Sequence, residues 1–554
     1  MSEVKVTVVE TTRLGPKGIA EKAVPLSLLD STTADFAPGS AIWLYEKPTV
    51  AGASDCSLLG FHMRNSLAAV LDHYPQWCGH LKTVKSTDGS VPPEAEGFPA
   101  HAKRFGRIYA HWGTPNDPGT EFAWAKCSAT LNELYPKNRS ADTPAWNTHS
   151  LPFQKFMSPV PLANVLLPNH THVGEANELP PALAIQITQF KCGAFAIALK
   201  SAHPLADAAG FMSLLRDWTS VSVEMLAGKP VPTLTPLFEP SQLDNCAAGD
   251  INAGEPDKEL IAKAESLPMH RYDWWASAST CPWPFSVPAP FASQDLKPVG
   301  DVMPWAEWNL AAPVSNYVIH LNRSQVEYLF EQAKAGSSEK LSRHDAVLAH
   351  IWSCIVRARQ LKQDDGPVHC DLVYGARPSF QLSEKLLGSP IVMMNIELPG
   401  SQVCDTEKFS NVALQVRNTL RQIVEPSNMA AHLHSVAYEL SPQRLWQAFL
   451  GQRHILVTTW GRAGIYDLDF GLGSRCVFAE GVVPDMDGCV LIKEAPPAYD
   501  QLGQASSPYW TDNGVDISVR IKTEDMERLL QDPLLFPSGK FRSKSHSVTM
   551  PSKL

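Results

Sequence analysis

The segment SAHPLADAAG, residues 201–210, sets His203 and Asp207 four residues apart, directly after an apolar run with β-strand character. An imidazole has an unperturbed pKa of about 6.5, so near neutral pH it can take up a proton and return it. At a strand end such a ring is held by the sheet, while the short connection that follows leaves it accessible. Spacing by itself does not assign the pair. Asp207 also suits the N-cap of a helix starting there, because its carboxylate can accept from the first free backbone N–H groups. A second stretch, VTTWGRAGIYDLDFGLGS at residues 457–474, places Thr458 and Trp460 a short way upstream of a turn built on Asp469, Gly471 and Gly473.

Other candidate chemistries lack their remaining parts. The pairs His170/His172 and His432/His434 have metal-ligand spacing, yet no third ligand follows at a usable distance, so no metal is expected. Asp469-Phe470-Gly471 also occurs in protein kinases, but no glycine-rich phosphate loop or His-Arg-Asp loop precedes it. There is no Gly-x-Ser-x-Gly elbow, no His-Glu-x-x-His helix and no dinucleotide fingerprint. The 11 cysteines are odd in number and include no Cys-x-x-Cys pair, which argues against a disulfide framework or thiolate metal site.

The elements that must position these residues follow from periodicity. Residues 183–200, LAIQITQFKCGAFAIALK, read as a hairpin whose second strand is buried and delivers His203 at its end. From Ala206 to Leu226 the pattern turns helical, with Phe211, Leu214, Leu215, Trp218 and Met225 forming an apolar stripe. Met63–Leu71 has helical spacing, and Val6 lies in an early strand. In the second half, a strand at Asn316–Leu321 precedes a long amphipathic helix capped by Ser342, and a further helix spans Asn411–Ile423. Strands follow around HILVTTW and DISVRIK. A chain of 554 residues exceeds one ordinary core. Three segments result: a lobe at 1–229, a Pro- and Trp-rich crossover at 230–313, and a lobe at 314–554. The crossover rings, Trp274, Trp275, Trp283, Trp305 and Trp308, either fasten it down or line an apolar channel.

HPLAD near the middle and DFGLG near the end together resemble the signatures of the BAHD acyltransferases, His-x-x-x-Asp-Gly and Asp-Phe-Gly-Trp-Gly. Collinear segments extend the resemblance over most of the chain: VPLSLLD, LAAVLDHYPQWCGHL, LSRHDAVLAHIWSCIVRAR and LLGSPIVMMNIEL. Ala208 and Leu472 depart from the family's glycine and tryptophan, as in a divergent, fungal-like member. The resemblance implies a mixed α/β fold of two similar-sized chloramphenicol-acetyltransferase-like lobes, with a channel at their interface. It implies acyl-CoA as co-substrate, no permanently bound cofactor, and a monomer. His203 would be the general base, with Thr458 and Trp460 as oxyanion donors. Asp207 would turn away to hold the loop, with Arg377 as a partner, while Asp469, Gly471 and Gly473 would shape the CoA side. The acceptor reads as the mannose of a mannosylerythritol-type glycolipid receiving a short or medium fatty acyl group. Acetylation of a fungal secondary metabolite and a non-catalytic CoA- or cargo-binding homologue are the alternatives.

A formal net charge of −10 speaks against nucleic acid as partner, and no apolar run approaches the ~20 residues that cross a bilayer. The sequence ends Ser552-Lys553-Leu554, the tripeptide read by the peroxisomal import receptor, so a peroxisomal location is expected. Deleting these three residues should leave a fluorescently tagged protein cytosolic by microscopy. Persistent import would dismiss the address.

Overall fold

The computed structural model describes residues 3–50, 56–164, 179–335, 338–498 and 509–537. His170, His172 and the Ser552-Lys553-Leu554 tripeptide lie outside the described residues. Leu183–Phe190 and Phe195–Ser201 form the expected antiparallel hairpin at the centre of a six-stranded sheet. Thr120–Cys127 and Val6–Leu14 extend it on one side, and Gly39–Tyr45 on the other. Helices Cys56–Leu71 and Ala208–Leu226 cover one face, and Met63, Leu67, Phe211, Leu214, Leu215 and Trp218 are buried against it.

The second sheet has seven strands. Pro367–Gly375 pairs antiparallel with Ile391–Pro399 and parallel with His454–Trp460, which in turn pairs parallel with Cys489–Glu494. Val515–Lys522 and Val314–Leu321 complete its long strands. Helix Arg343–Ala358 is buried along nearly its whole length over this sheet. Ser342 does cap it, in a reciprocal box with Asp345, and Arg417 holds the same carboxylate from helix Phe409–Val424. Among the described residues, no helix is long and apolar enough to cross a membrane.

Halves of the chain and sheets of the fold do not coincide. Cys476–Gly481, from the second half, is the last strand of the first sheet, antiparallel to Gly39–Tyr45. Ala145–Asn147, from the first half, closes the edge of the second sheet beside Val314–Leu321. The two exchanged strands meet in one core, through Trp146 and Phe478. Phe478 packs among Tyr135, Trp146 and Phe153, with ring centroids 4.9–6.5 Å apart. Beside it, a buried charge cluster spans both sheets: Lys493 Nζ lies 3.4 Å from Glu480 and 3.6 Å from Asp516, which also meets Arg139 and His320. Burial alone would raise the Asp516 pKa, but Arg139 and Lys493 hold it below the usual carboxylate range.

The crossover packs down onto the second lobe. Helix Lys258–Glu265 lies against helix Pro426–Tyr438, and Tyr272–Asp273 pairs with Leu445–Trp446. A buried ion pair, Arg444 Nη2 to Asp273 Oδ2 at 2.8 Å, fixes the same junction. Trp274, Trp305 and Trp308 interlock with each other and with Phe449 at centroid distances of 5.3–6.3 Å. These rings fasten the crossover, as the first of the two expectations had it, and the cluster continues through Trp274 to Trp446.

Truncating Phe478 removes a fully buried ring where the two halves interlock. Phe478→Ala should cost ~3–5 kcal/mol and lower the thermal midpoint by several degrees in calorimetry.

Candidate active site

His203 opens a single 3₁₀ turn, His203–Leu205, between the hairpin's second strand and helix Ala208–Leu226. Its Nδ1 lies 2.9 Å from Ser389 Oγ, which belongs to the other lobe. In the neutral ring that donates from Nδ1 to this hydroxyl, the Nε2 lone pair is the proton acceptor. Phe36 stands edge-on to the imidazole at 5.1 Å between centroids, and Trp446 stands edge-on to Phe36 at 4.9 Å. Burial pushes the His203 pKa down to about 4, with the Asp207 charge partly opposing. The ring is therefore neutral, and able to accept a proton, across the physiological range.

Asp207 does both things its position allowed. Oδ1 accepts from Gly210 N at 3.0 Å as the helix N-cap. Both oxygens also meet Arg377, at 2.6 Å from Nη1 and 3.1 Å from Nη2. Arg377 in turn donates to the carbonyls of Leu386 and Gly388, and Asp207 N donates to Gly388 O at 3.0 Å. The carboxylate thus faces the guanidinium rather than the imidazole. This bidentate pair fastens the His203 turn to the segment that carries Ser389.

That segment crosses Asp30 at close quarters. Ser389 N donates to Asp30 Oδ1 at 2.5 Å, and Asp30 Oδ2 accepts from Ser27 N in a helix capping box. Gly388 has φ +129°, and a Cβ built there would lie 2.8 Å from Asp30 Oδ1. Only glycine admits both the backbone and the approach. Burial raises Asp30 to about 7. Neither Ser389 nor Asp30 was anticipated as part of the site. The LLGSPIV segment was noticed for its match to a pattern, but nothing local tells which of its atoms reaches an imidazole 186 positions away.

Thr458 and Trp460 lie on the same face of strand His454–Trp460. Their neighbours point the other way: Val457 sits in the second core, and Thr459 Oγ1 bonds His344 on helix Arg343–Ala358. The Trp460 ring edge reaches the first sheet, where a Cβ on Gly481 would come within 3.0 Å of it. The Thr458 hydroxyl and the Trp460 indole N–H make no hydrogen bond among the described residues, so both donors are available. Strand register sets Trp460 and Gly375 at the same end of the sheet, and Gly375 pairs with Ile391, two residues from Ser389.

The Asp469–Gly473 turn docks on the far end of the helix that Asp207 caps. Ser222 Oγ donates to Phe470 O at 2.7 Å, and Phe470 packs edge-on to Trp218. At 1.5 Å rise per residue this contact stands ~21 Å from the helix start next to His203. Gly471 and Gly473 have φ of +73° and +63°, and a Cβ on Gly473 would lie 2.2 Å from Thr49 Oγ1. Leu472, where the family signature has tryptophan, is buried in the first core, and Ala208 begins the helix without strain. The turn is a supporting element with no contact to the imidazole. The His432/His434 pair is likewise structural: His434 Nδ1 meets Ala248 O at 2.7 Å and its Nε2 accepts from Asp257 N at 2.9 Å.

Comparison with known proteins bears on the family and the fold. The model of the family described as "Transferase family" matches residues 147–271 and 295–533. The acyltransferase AFT15-1 of Alternaria alternata is 25% identical over 532 residues, 93% of this chain and 94% of its own length. Among solved structures, vinorine synthase superposes with a TM-score of 0.55 at 16% identity, covering 95% of this chain and 98% of that one. TRI101 of F. graminearum complexed with ethyl coenzyme A gives a TM-score of 0.60 at 13% identity, over 93% and 98% of the two chains. These last two likenesses establish a shared fold of two sheet-rich domains.

Arg377→Ala leaves the Asp207 carboxylate without its partner in a nearly buried setting. The expected result is a loss of ~3–5 kcal/mol in denaturant unfolding. Arg377→Lys should recover only part of it, because an ammonium cannot reproduce the two-point contact.

Proposed function

The chain belongs to the Transferase family, the BAHD-type acyltransferases, and on that footing we propose that it transfers an acyl group from acyl-CoA to a hydroxyl, with His203 as general base. The observation that carries this reading is the His203 ring at the junction of the lobes, held through Nδ1 by Ser389 and free at Nε2. In the step, Nε2 takes the proton of the acceptor hydroxyl as its oxygen adds to the thioester carbonyl carbon. Electron density moves onto the carbonyl oxygen, and Thr458 and Trp460 supply the donors for that oxyanion, each worth ~3–4 kcal/mol. Collapse of the intermediate re-forms the carbonyl, breaks the C–S bond and expels the CoA thiolate, which recovers the proton from the imidazolium. No acyl-enzyme forms. Asp207 and Arg377 act by aiming the imidazole, where a misplacement of ~1 Å costs on the order of 100-fold.

The donor read best from the site is a short or medium fatty acyl-CoA, and the acceptor a hydroxylated glycolipid of the mannosylerythritol type. Support comes from the cleft next to Phe36, where Met269, Ile391, Met393 and Trp446 offer apolar surface beside the polar Arg271, His432 and Glu439. A hydrocarbon chain gains ~0.8 kcal/mol for each CH₂ buried there.

His203→Ala should abolish turnover while CoA still binds by calorimetry; undiminished transfer would remove the residue from the mechanism. The acid limb of kcat/KM should fall near pH 4, because activity needs the neutral ring and burial lowers its pKa to about 4. A limb at about 6.5 would mean a solvated imidazole. Across an acyl-CoA ladder, kcat/KM should rise beyond acetyl; a sharp acetyl optimum would favour the secondary-metabolite acetyltransferase instead.

A further inference from the structure

Apart from the His203 site, three imidazoles meet at the seam between the crossover and the second sheet. His369 and His454 are register partners on parallel strands, and their rings stack at 4.3 Å between centroids. His270 comes from the crossover, just before strand Tyr272–Asp273, and its ring lies 4.9 Å from His369 and 5.2 Å from His454. One nitrogen from each of the three lies within 4.8 Å of one from each of the others. Stretches of chain roughly a hundred residues long separate the three, which is why spacing along the sequence pointed to no metal.

Oxygen atoms stand behind the imidazoles. Asp371 is wholly buried; its Oδ2 lies 3.3 Å from His454 Nδ1, and its Oδ1 lies 3.2 Å from His270 Nε2. The second contact is misaligned, so Asp371 Oδ1 and His270 Nε2 are both buried without a directed hydrogen bond. His369 Nδ1 lies 3.0 Å from Asn395 Oδ1, with Glu397 at 3.5 Å. Fixing Nδ1 of His369 and His454 to oxygens leaves their Nε2 lone pairs to coordinate. Metal-binding histidines are held in this way by an outer shell of carboxylate and amide oxygens.

A cleft lined by Tyr272, Glu307, Arg453, His369 and His454 gives access from outside.

We propose that His270, His369 and His454 bind one divalent transition-metal ion of the zinc type, clamping the crossover to the second sheet. Three neutral imidazoles suit zinc, and a fourth position can take a water from the cleft. This assignment does not depend on the acyl-transfer reading, since none of the three residues takes part in the proton transfer, although His270 also borders the cleft next to Phe36.

The test uses the full-length, tag-free protein, stripped with chelator, dialysed against zinc and analysed for bound metal by mass spectrometry and titration calorimetry. One zinc per chain is expected. His369→Gln and His454→Gln should each weaken binding by about 100-fold or more, and Asn395→Ala by ~10–100-fold. Zinc should raise the thermal midpoint of the wild type and not that of His369→Gln, with circular dichroism confirming that the variants fold. If the wild type binds no zinc, or binds it as tightly as the doubly substituted H369Q/H454Q protein, the proposal is wrong.

Discussion

One junction governs this molecule: the bidentate contact between Asp207 and Arg377, with the Gly388 carbonyl receiving a donor from each residue. His203 hangs from one sheet, while the hydroxyl that orients it hangs from the other. Neither lobe alone can set the distance between them. A two-point ionic contact of low exposure fixes orientation as well as separation, which a single hydrogen bond would not. Asp30, reaching into the space left by the missing Gly388 side chain, fixes the same segment from a second direction. The imidazole is therefore located from both sheets at once.

Local features of the chain were legible from its letters because their causes are local. Alternation exposed the hairpin that delivers His203, a 3.6-residue period exposed helix Ala208–Leu226, and Ser342 announced a helix start. The Asp207–Arg377 pairing was reached through family likeness rather than spacing. Ser389, Asp30 and the three clustered histidines were not visible, since each acquires its meaning from strand order. His369 and His454 are partners only because two parallel strands lie side by side in a given register, and a one-residue slip would turn their side chains to opposite faces. Departures from the family signatures, Ala208 and Leu472, settled into positions where a methyl group and a buried aliphatic side chain fit without strain.

The crossover joins these regions physically. Its aromatic cluster begins against Phe449 in the second lobe, runs through Trp274 and Trp446, and ends at Phe36 beside His203. The same segment carries His270 into the histidine cluster. A stretch that looked like a proline-rich connection is thus fastened to the second lobe by rings that combine apolar area with few torsional freedoms to lose.

The two exchanged strands have a consequence for how the protein is made. The first sheet lacks the second partner of Gly39–Tyr45 until residues 476–481 have been synthesised, most of the chain later. While the ribosome is still translating, that nascent lobe carries an open edge of unpaired N–H and C=O groups, a template for pairing with other chains. Maturation is therefore all but post-translational: the earliest-made sheet is among the last to be sealed, and a holdase that shields its edge during elongation would protect the yield of native enzyme.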